Sequence, residues 1–213
     1  MEYCKRDIIA ITVCVNYDDI LKHTIIKNVI FFKMWYIITC IDDTKTIELI
    51  EKNNFPNIKL IFFNDFYTNS KFNKGGAIKY AQEYIEKIEV VYDEILILDA
   101  DIALPENFLN SLPETLEDKT LYGVSNRFDY WTLEDFNKSI NSHEYKHGAD
   151  FVGFFQLYKK GISHKYNNSL NCSECDNYFR DCFEKKEYLN ITVKHLGMNN
   201  VNWEGRKYNL GVF

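Results

Sequence analysis

Three prolines and nine glycines punctuate 213 residues, too few for a linker-rich, collagenous or low-complexity chain. Basic residues are also in short supply: 25 Lys and Arg stand against 31 Asp and Glu, a formal net charge of -6. That balance argues against a nucleic-acid duplex as the main partner, since neutralising its backbone needs a basic face. Long apolar runs are missing as well. The most apolar stretch, Val29 to Ile41, carries Lys33 and falls short of a membrane span. The run from Ile8 to Val15 is too short for a secretion signal and lacks a small-residue cleavage site. The expectation is a soluble, cytoplasmic protein with no transmembrane segment. Without secretion, the Asn-x-Ser/Thr triplets at Asn137, Asn167, Asn171 and Asn190 carry no meaning. Cys172 and Cys175 form a single CxxC with no second pair to complete a zinc site, and Cys182 is the one nearby thiol. Cys14 and Cys40 fall in apolar runs, where a reduced thiol packs as a small core residue. A Walker loop is absent too.

What remains is ordinary globular material, 46% hydrophobic and 26% charged, with a length that suits one generous domain. The first half alternates strand and helix patterns. Strands are expected at Ile8–Val15, Trp35–Ile41, Ile58–Phe63 and Glu94–Leu98. Helices are expected from Asp18 or Asp19 (as cap) to Phe32, from the Asp42-Asp43-Thr44 cap to about Asn53, and from Lys74 to Ile88. Ala77, Ile78, Ala81, Tyr84, Ile85 and Ile88 form the buried stripe of the last. Such alternation implies right-handed crossovers and a mostly parallel sheet. The second half reads as strands at Leu121–Asn126, Phe151–Tyr158 and Leu189–Val193, with helices at Leu133–Ile140 and Asp176–Lys186. With no linker or repeat, 1–102 and 103–213 are expected to build one α/β domain on one sheet.

Ligands of parallel sheets bind at the carboxyl ends of the strands, and the polar groups cluster there. The sharpest signal is Ile95-Leu96-Ile97-Leu98-Asp99-Ala100-Asp101. A wholly apolar strand delivers two carboxylates with one small residue between them. Like charges so placed call for a cation, and Mg²⁺ and Mn²⁺ commonly bridge carboxylates to substrate phosphates. Taken alone, most Asp-x-Asp triplets are solvated acidic turns. Gly75-Gly76 reads equally well as a helix-start turn, and a lone histidine such as His195 is more often structural than a ligand.

Taken in order, these pieces resemble a GT-A-fold glycosyltransferase of the family-2-like kind, over nearly the whole chain. The fold implied is a Rossmann-like nucleotide-binding half with a mostly parallel central sheet, extended by a mixed acceptor-binding half. Thr12 to Tyr17 is similar to the segment that meets the nucleotide base. Lys71-Phe72-Asn73-Lys74-Gly75-Gly76-Ala77 resembles the Asn-Lys-Gly segment that touches the nucleotide. Asp99-Ala100-Asp101 is similar to the metal and ribose motif. Val193 to Gly197, with Asn-Trp-Glu-Gly-Arg from Asn202, resembles the C-terminal segment whose histidine often completes the metal site.

The resemblance implies donor contacts at Thr12, Asn16, Thr39, Asp42, Asn73, Lys74, Gly75, Asp99, Ala100 and Asp101. It implies Mn²⁺ or Mg²⁺ held by Asp99, Asp101 and His195. The family's catalytic base matches Asp176 in Ser173-Glu174-Cys175-Asp176, where Cys175 replaces the usual Glu; a plain helix cap is the alternative. Asp150 to Gln156 resembles the segment that lines the sugar and acceptor pocket; a core strand would explain its phenylalanines but not Gln156. The expected activity is transfer of a sugar from a nucleotide diphosphate sugar, with UDP by family habit, to an acceptor hydroxyl with inversion. The partners are then a nucleotide-sugar donor and a glycan or other hydroxyl acceptor. Two rivals stand beside it: a degenerate domain that only binds nucleotide sugar or glycan, and a phosphate hydrolase of the haloacid dehalogenase type.

Overall fold

The structure, a computed structural model, describes residues 6–88, 90–146, 151, 153–168 and 172–197. One nine-stranded sheet runs through it. The first half contributes β1 (Ile8–Val13), β2 (Met34–Thr39), β3 (Ile58–Phe62) and β4 (Glu94–Leu98), crossed by α1 (Asp18–Asn28), α2 (Thr44–Asn53) and α3 (Lys74–Lys87). The second contributes β5 (Ile102–Ala103), β6 (Thr120–Tyr130), α4 (Leu133–Lys138), β7 (His143–Lys146), β8 (Phe155–Lys159), α5 (Cys172–Asp181) and β9 (Lys185–Leu196). The strand order is β3-β2-β1-β4-β8-β6-β9-β5, with β7 paired to β6.

β1, β2, β3 and β4 pair in parallel, as helix crossovers require. β8 enters antiparallel to β4, and beyond it the sheet is mixed. β1, β2 and β4 are buried on both faces because helices cover both. Alternate residues feed two cores: Ile8, Ala10, Leu96 and Leu98 point to one, packed with α1, and Ile9, Ile11, Ile95 and Ile97 to the other, packed with α3 and α5.

Several local expectations need correction. α1 has Tyr17, not an aspartate, at its N-cap and no side-chain cap bond; Asp18 and Asp19 lie in its first turn, facing the positive end of the helix. α1 ends at Asn28 and gives way to a 3-10 turn over Val29–Phe31. α2 is capped as read, with Asp43 accepting from Thr46 N–H. In α3 the expected core residue Tyr84 is exposed, and Gln82 is buried in the stripe. The strand expected at Phe151–Tyr158 is displaced to Phe155–Lys159.

The larger differences lie at the end of the chain. β6 continues four residues past Asn126, and β9 has 12 residues where a short strand at Leu189–Val193 was expected. β5 and β7 were not foreseen. α5 begins at Cys172, so Asp176 sits in its middle rather than at its cap. Among the described residues, no helix is long and apolar enough to cross a membrane.

Candidate active site

Two polar clusters meet at the carboxyl ends of β1 and β4, one around each carboxylate of the Asp-x-Asp. Asp99 turns toward α3. Lys74, buried in the first turn of that helix, places its Nζ 2.8 Å from Asp99 Oδ1 and 3.5 Å from Asp176 Oδ2. The lysine thus stands between a carboxylate from β4 and one from α5. Asn73 caps α3 through Gly76 N–H, which fixes the helix start and so the lysine. Burial raises the Asp99 carboxyl to about 6 against the pull of Lys74, with the Asp101 and Asp176 charges adding to the rise.

Asp176 is held on all sides. Lys74 faces one oxygen, the Tyr166 hydroxyl lies 3.3 Å from the other, and Cys175 Sγ is 3.7 Å from that same oxygen. Gly153 is pressed against the carboxyl so closely that a Cβ there would fall 2.0 Å from its carbon. Gln156, fully buried, donates to the carbonyls of Phe151 and Asp176 and accepts from the Tyr166 hydroxyl. Its amide therefore ties β8 to α5, which gives the glutamine a positioning role that its strand-core neighbours do not have. Burial, then the nearby Asp176 charge, pushes the Tyr166 phenol well up, so it stays a protonated donor.

Asp101 turns the other way. Its Oδ2 lies 3.3 Å from the Tyr17 hydroxyl and 3.3 Å from His195 Nε2. The meeting is a matter of sheet register: β5 begins one residue after Asp101, and Ile102 is paired directly with His195 of β9. On the other flank β6 places Asp129 opposite His195, with Oδ1 2.9 Å from Nδ1. Arg127, two residues back on the same face, grips Asp129 through Nε at 2.7 Å and Nη2 at 3.1 Å. Burial opposes charge on His195, but the Asp101 and Asp129 carboxylates outweigh it and push the ring up to about 9. Burial works against ionisation of Asp101 as well, yet His195 holds that carboxyl below its usual value.

The remaining residues singled out in the sequence are placed as follows. Thr12 is buried; its hydroxyl donates to Leu98 O and accepts from Trp35 Nε1. Thr39 is buried and donates to Asp43 Oδ2, the carboxylate that also receives Asn16 N–H. Asn16 has φ 56°, a left-handed conformation that asparagine tolerates. Asp42 is exposed. Ala100 is buried, and its carbonyl accepts from Thr24. The segment from Asn202 lies outside the described residues.

Gly75 has a packing duty. A Cβ at that position would fall 2.1 Å from the Asn167 carbonyl oxygen and 2.6 Å from Cys175 Cβ. The glycine thus allows α3 to approach α5 and the chain before it. Cys175 is fully buried in the same contact. Gly75→Ala is expected to destabilise the fold by about 3 kcal/mol, the upper range for overpacking against backbone. A urea titration measures this as a lower midpoint at unchanged slope.

Arg127 and Asp129 lie past Asn126, where the sequence pattern predicts the strand to end. The alternation Arg127-Phe128-Asp129-Tyr130 was the available signal. Among the described residues, no group of three or more His, Cys, Asp and Glu side chains is arranged to enclose a metal ion.

No family model matches this chain, and no curated protein matches its sequence. Solved structures do match in fold. Glucosyl-3-phosphoglycerate synthase from Mycobacterium tuberculosis, in complex with phosphoglyceric acid, aligns with a TM-score of 0.52 at 9% identity, covering 89% of this chain and 72% of that one. The same enzyme with Mn²⁺, uridine diphosphate and glucosyl-3-phosphoglycerate gives 0.51 at 8% identity, over the same shares. The inositol-1-phosphate CTP transferase from T. maritima gives 0.51 at 6% identity, over 90% of this chain and 89% of that one. At these identities the likeness is one of fold: a mixed α/β fold of the GT-A type, common to a glycosyltransferase and a nucleotidyltransferase.

Proposed function

We propose that this protein is a glycosyltransferase that moves a sugar from a nucleotide diphosphate sugar, with UDP as the expected nucleotide, to an acceptor hydroxyl. The observation that carries the reading is the convergence of Asp99, Asp101, His195, Lys74 and Asp176 at the strand ends of the parallel half. Fold alone does not assign chemistry; this set of groups is what supports the reading.

The residues present fit a divalent cation at one point. Asp101 and His195 Nε2 already face each other, and the other ring nitrogen is bonded to a buried carboxylate, the usual backing of a metal-binding histidine. Two protein donors suffice for Mn²⁺ or Mg²⁺, which take their other oxygens from water and phosphate. Asp101 and His195 would hold the cation, with Asp99 beside them, and when bound it would neutralise the departing diphosphate.

The rest is the protein's own work. Lys74 brings a fixed positive charge to the same place and keeps Asp99 and Asp176 apart. Asp176 accepts the acceptor hydroxyl's proton as general base, giving inversion. Tyr166, Gln156 and Gly153 hold its carboxyl in one position. Asn16 and Asp42, just past the ends of the first two strands, would meet the nucleotide, with Thr12 and Thr39 on the same strands.

The rival readings lose ground. Cys175 packs against Gly75 and its Sγ faces Asp176, a structural duty compatible with a working site. The hydrolase reading needs the Asp-x-Asp on a first strand, whereas β4 is the fourth.

The test is a panel of nucleotide sugars with Mn²⁺, followed by transfer or slow hydrolysis of the donor, run beside CTP with sugar phosphates. Release of nucleoside diphosphate from a nucleotide sugar is the expected outcome. Pyrophosphate release from CTP would reassign the site to nucleotidyl transfer. Binding without turnover across a broad acceptor panel would leave a binding domain.

A further inference from the structure

We infer that Asp129, charge-balanced by Arg127, is a positioning residue for metal binding: it holds the His195 ring so that Nε2 faces Asp101. The inference rests on the reading of Asp101 and His195 as cation donors and adds the residues that make the histidine fit for that task. His195 is the middle residue of a three-strand ladder, with Ile102 of β5 on one side and Asp129 of β6 on the other. Asp101 therefore reaches one ring nitrogen and Asp129 the other, at 3.3 and 2.9 Å.

The Asp129 side chain is 1% exposed. A carboxylate so buried is costly unless its charge and its lone pairs are satisfied. Arg127 does both, with two N–H bonds onto its two oxygens, while its guanidinium lies 5.0 Å from the Phe154 ring centroid. Oδ1 also receives the histidine. The ring is thus anchored by a group that cannot swing into solvent, and the proton on Nδ1 is directed away from the cation side. A free imidazole would spend time with either nitrogen forward and in either tautomer. Anchoring removes those states and keeps Nε2, rather than Nδ1, facing Asp101.

A purely structural account is the alternative, in which the Arg127–Asp129 pair only fastens β6 to β9. A double-mutant cycle separates the two. Mn²⁺ binding to the full chain is followed by the paramagnetic resonance signal of free Mn²⁺ in wild type, Asp129→Asn, His195→Ala and the double variant. The expected result is a loss of about tenfold to a hundredfold in affinity for Asp129→Asn, falling to less than about twofold when His195 is already alanine. An equal loss in both backgrounds, or none in the first, overturns the inference. If Asp129→Asn fails to fold, Asp129→Asn with Arg127→Met removes both charges and is read against the same outcomes. Wild type that binds no Mn²⁺ would overturn the donor reading of Asp101 and His195 along with it. Tight wild-type binding that Asp129→Asn leaves unchanged would overturn the positioning role alone.

Discussion

Asp101→Ala is expected to remove sugar transfer, lowering the rate about a thousandfold or more even at saturating donor. Leaving-group stabilisation by a cation is worth several kcal/mol, and about 1.4 kcal/mol corresponds to tenfold in rate. The carboxylate is more than a passive neighbour, since its Oδ2 is the atom that faces both His195 and Tyr17. Chelation of the wild-type enzyme with EDTA is expected to reach the same residual rate, and adding EDTA to the variant to lower it no further. Thermal melting checks that the variant is folded. Full turnover of wild type in EDTA would remove the cation from the account and leave Lys74 as the principal positive charge near the diphosphate.

Asp176→Asn separates chemistry from donor binding. Asparagine keeps the shape that the contact with Gly153 demands and can still meet Tyr166 and Cys175. It cannot take up a proton as a carboxylate does. The rate is expected to fall by roughly 10²–10⁴, the usual worth of a positioned general base, with donor affinity close to wild type. Calorimetric titration of the donor beside the transfer rate checks both halves. An unchanged rate would make Asp176 a structural partner of Lys74, and Glu174, exposed two residues earlier on α5, would be tested next.

The difference in legibility between the two halves has physical causes. β1 and β4 could be read because burial on both faces leaves a continuous apolar run, and the Asp-x-Asp stands out against it. β9 begins Lys185-Lys186-Glu187, which no periodicity marks as strand; its pairing along β6 supplies what the sequence does not show. β6 was cut short at Asn126 because Arg127 and Asp129 look like surface charges until they are seen to neutralise each other. β5 is two residues long and exists through its partner β9. Asp176 makes a plausible cap in sequence, yet α5 starts at Cys172 and buries Cys175 and Phe179, four apart.

The same causes shaped the site. Asp99, Asp101, Lys74, Asp176 and His195 were all named from the sequence, yet their pairing was not. Lys74 joining Asp99 to Asp176 depends on the α3–α5 approach that Gly75 permits, a contact between residues 100 apart in the chain. His195 reaching Asp101 depends on β5–β9 register. Thr12 and Thr39, named through the family resemblance, are held by bonds inside the protein, to Leu98 O and Asp43 Oδ2, that the sequence does not show.

The claim on which everything turns is that the Asp101–His195 edge receives a nucleotide diphosphate together with a divalent cation. Calorimetric titration of UDP into the full-length chain, with Mn²⁺ and again with EDTA, tests it most directly. Binding that needs Mn²⁺ and is lost in Asp101→Ala is the expected result. UDP that binds equally well in EDTA and in Asp101→Ala, or that does not bind at all while other nucleotides also fail, would contradict it.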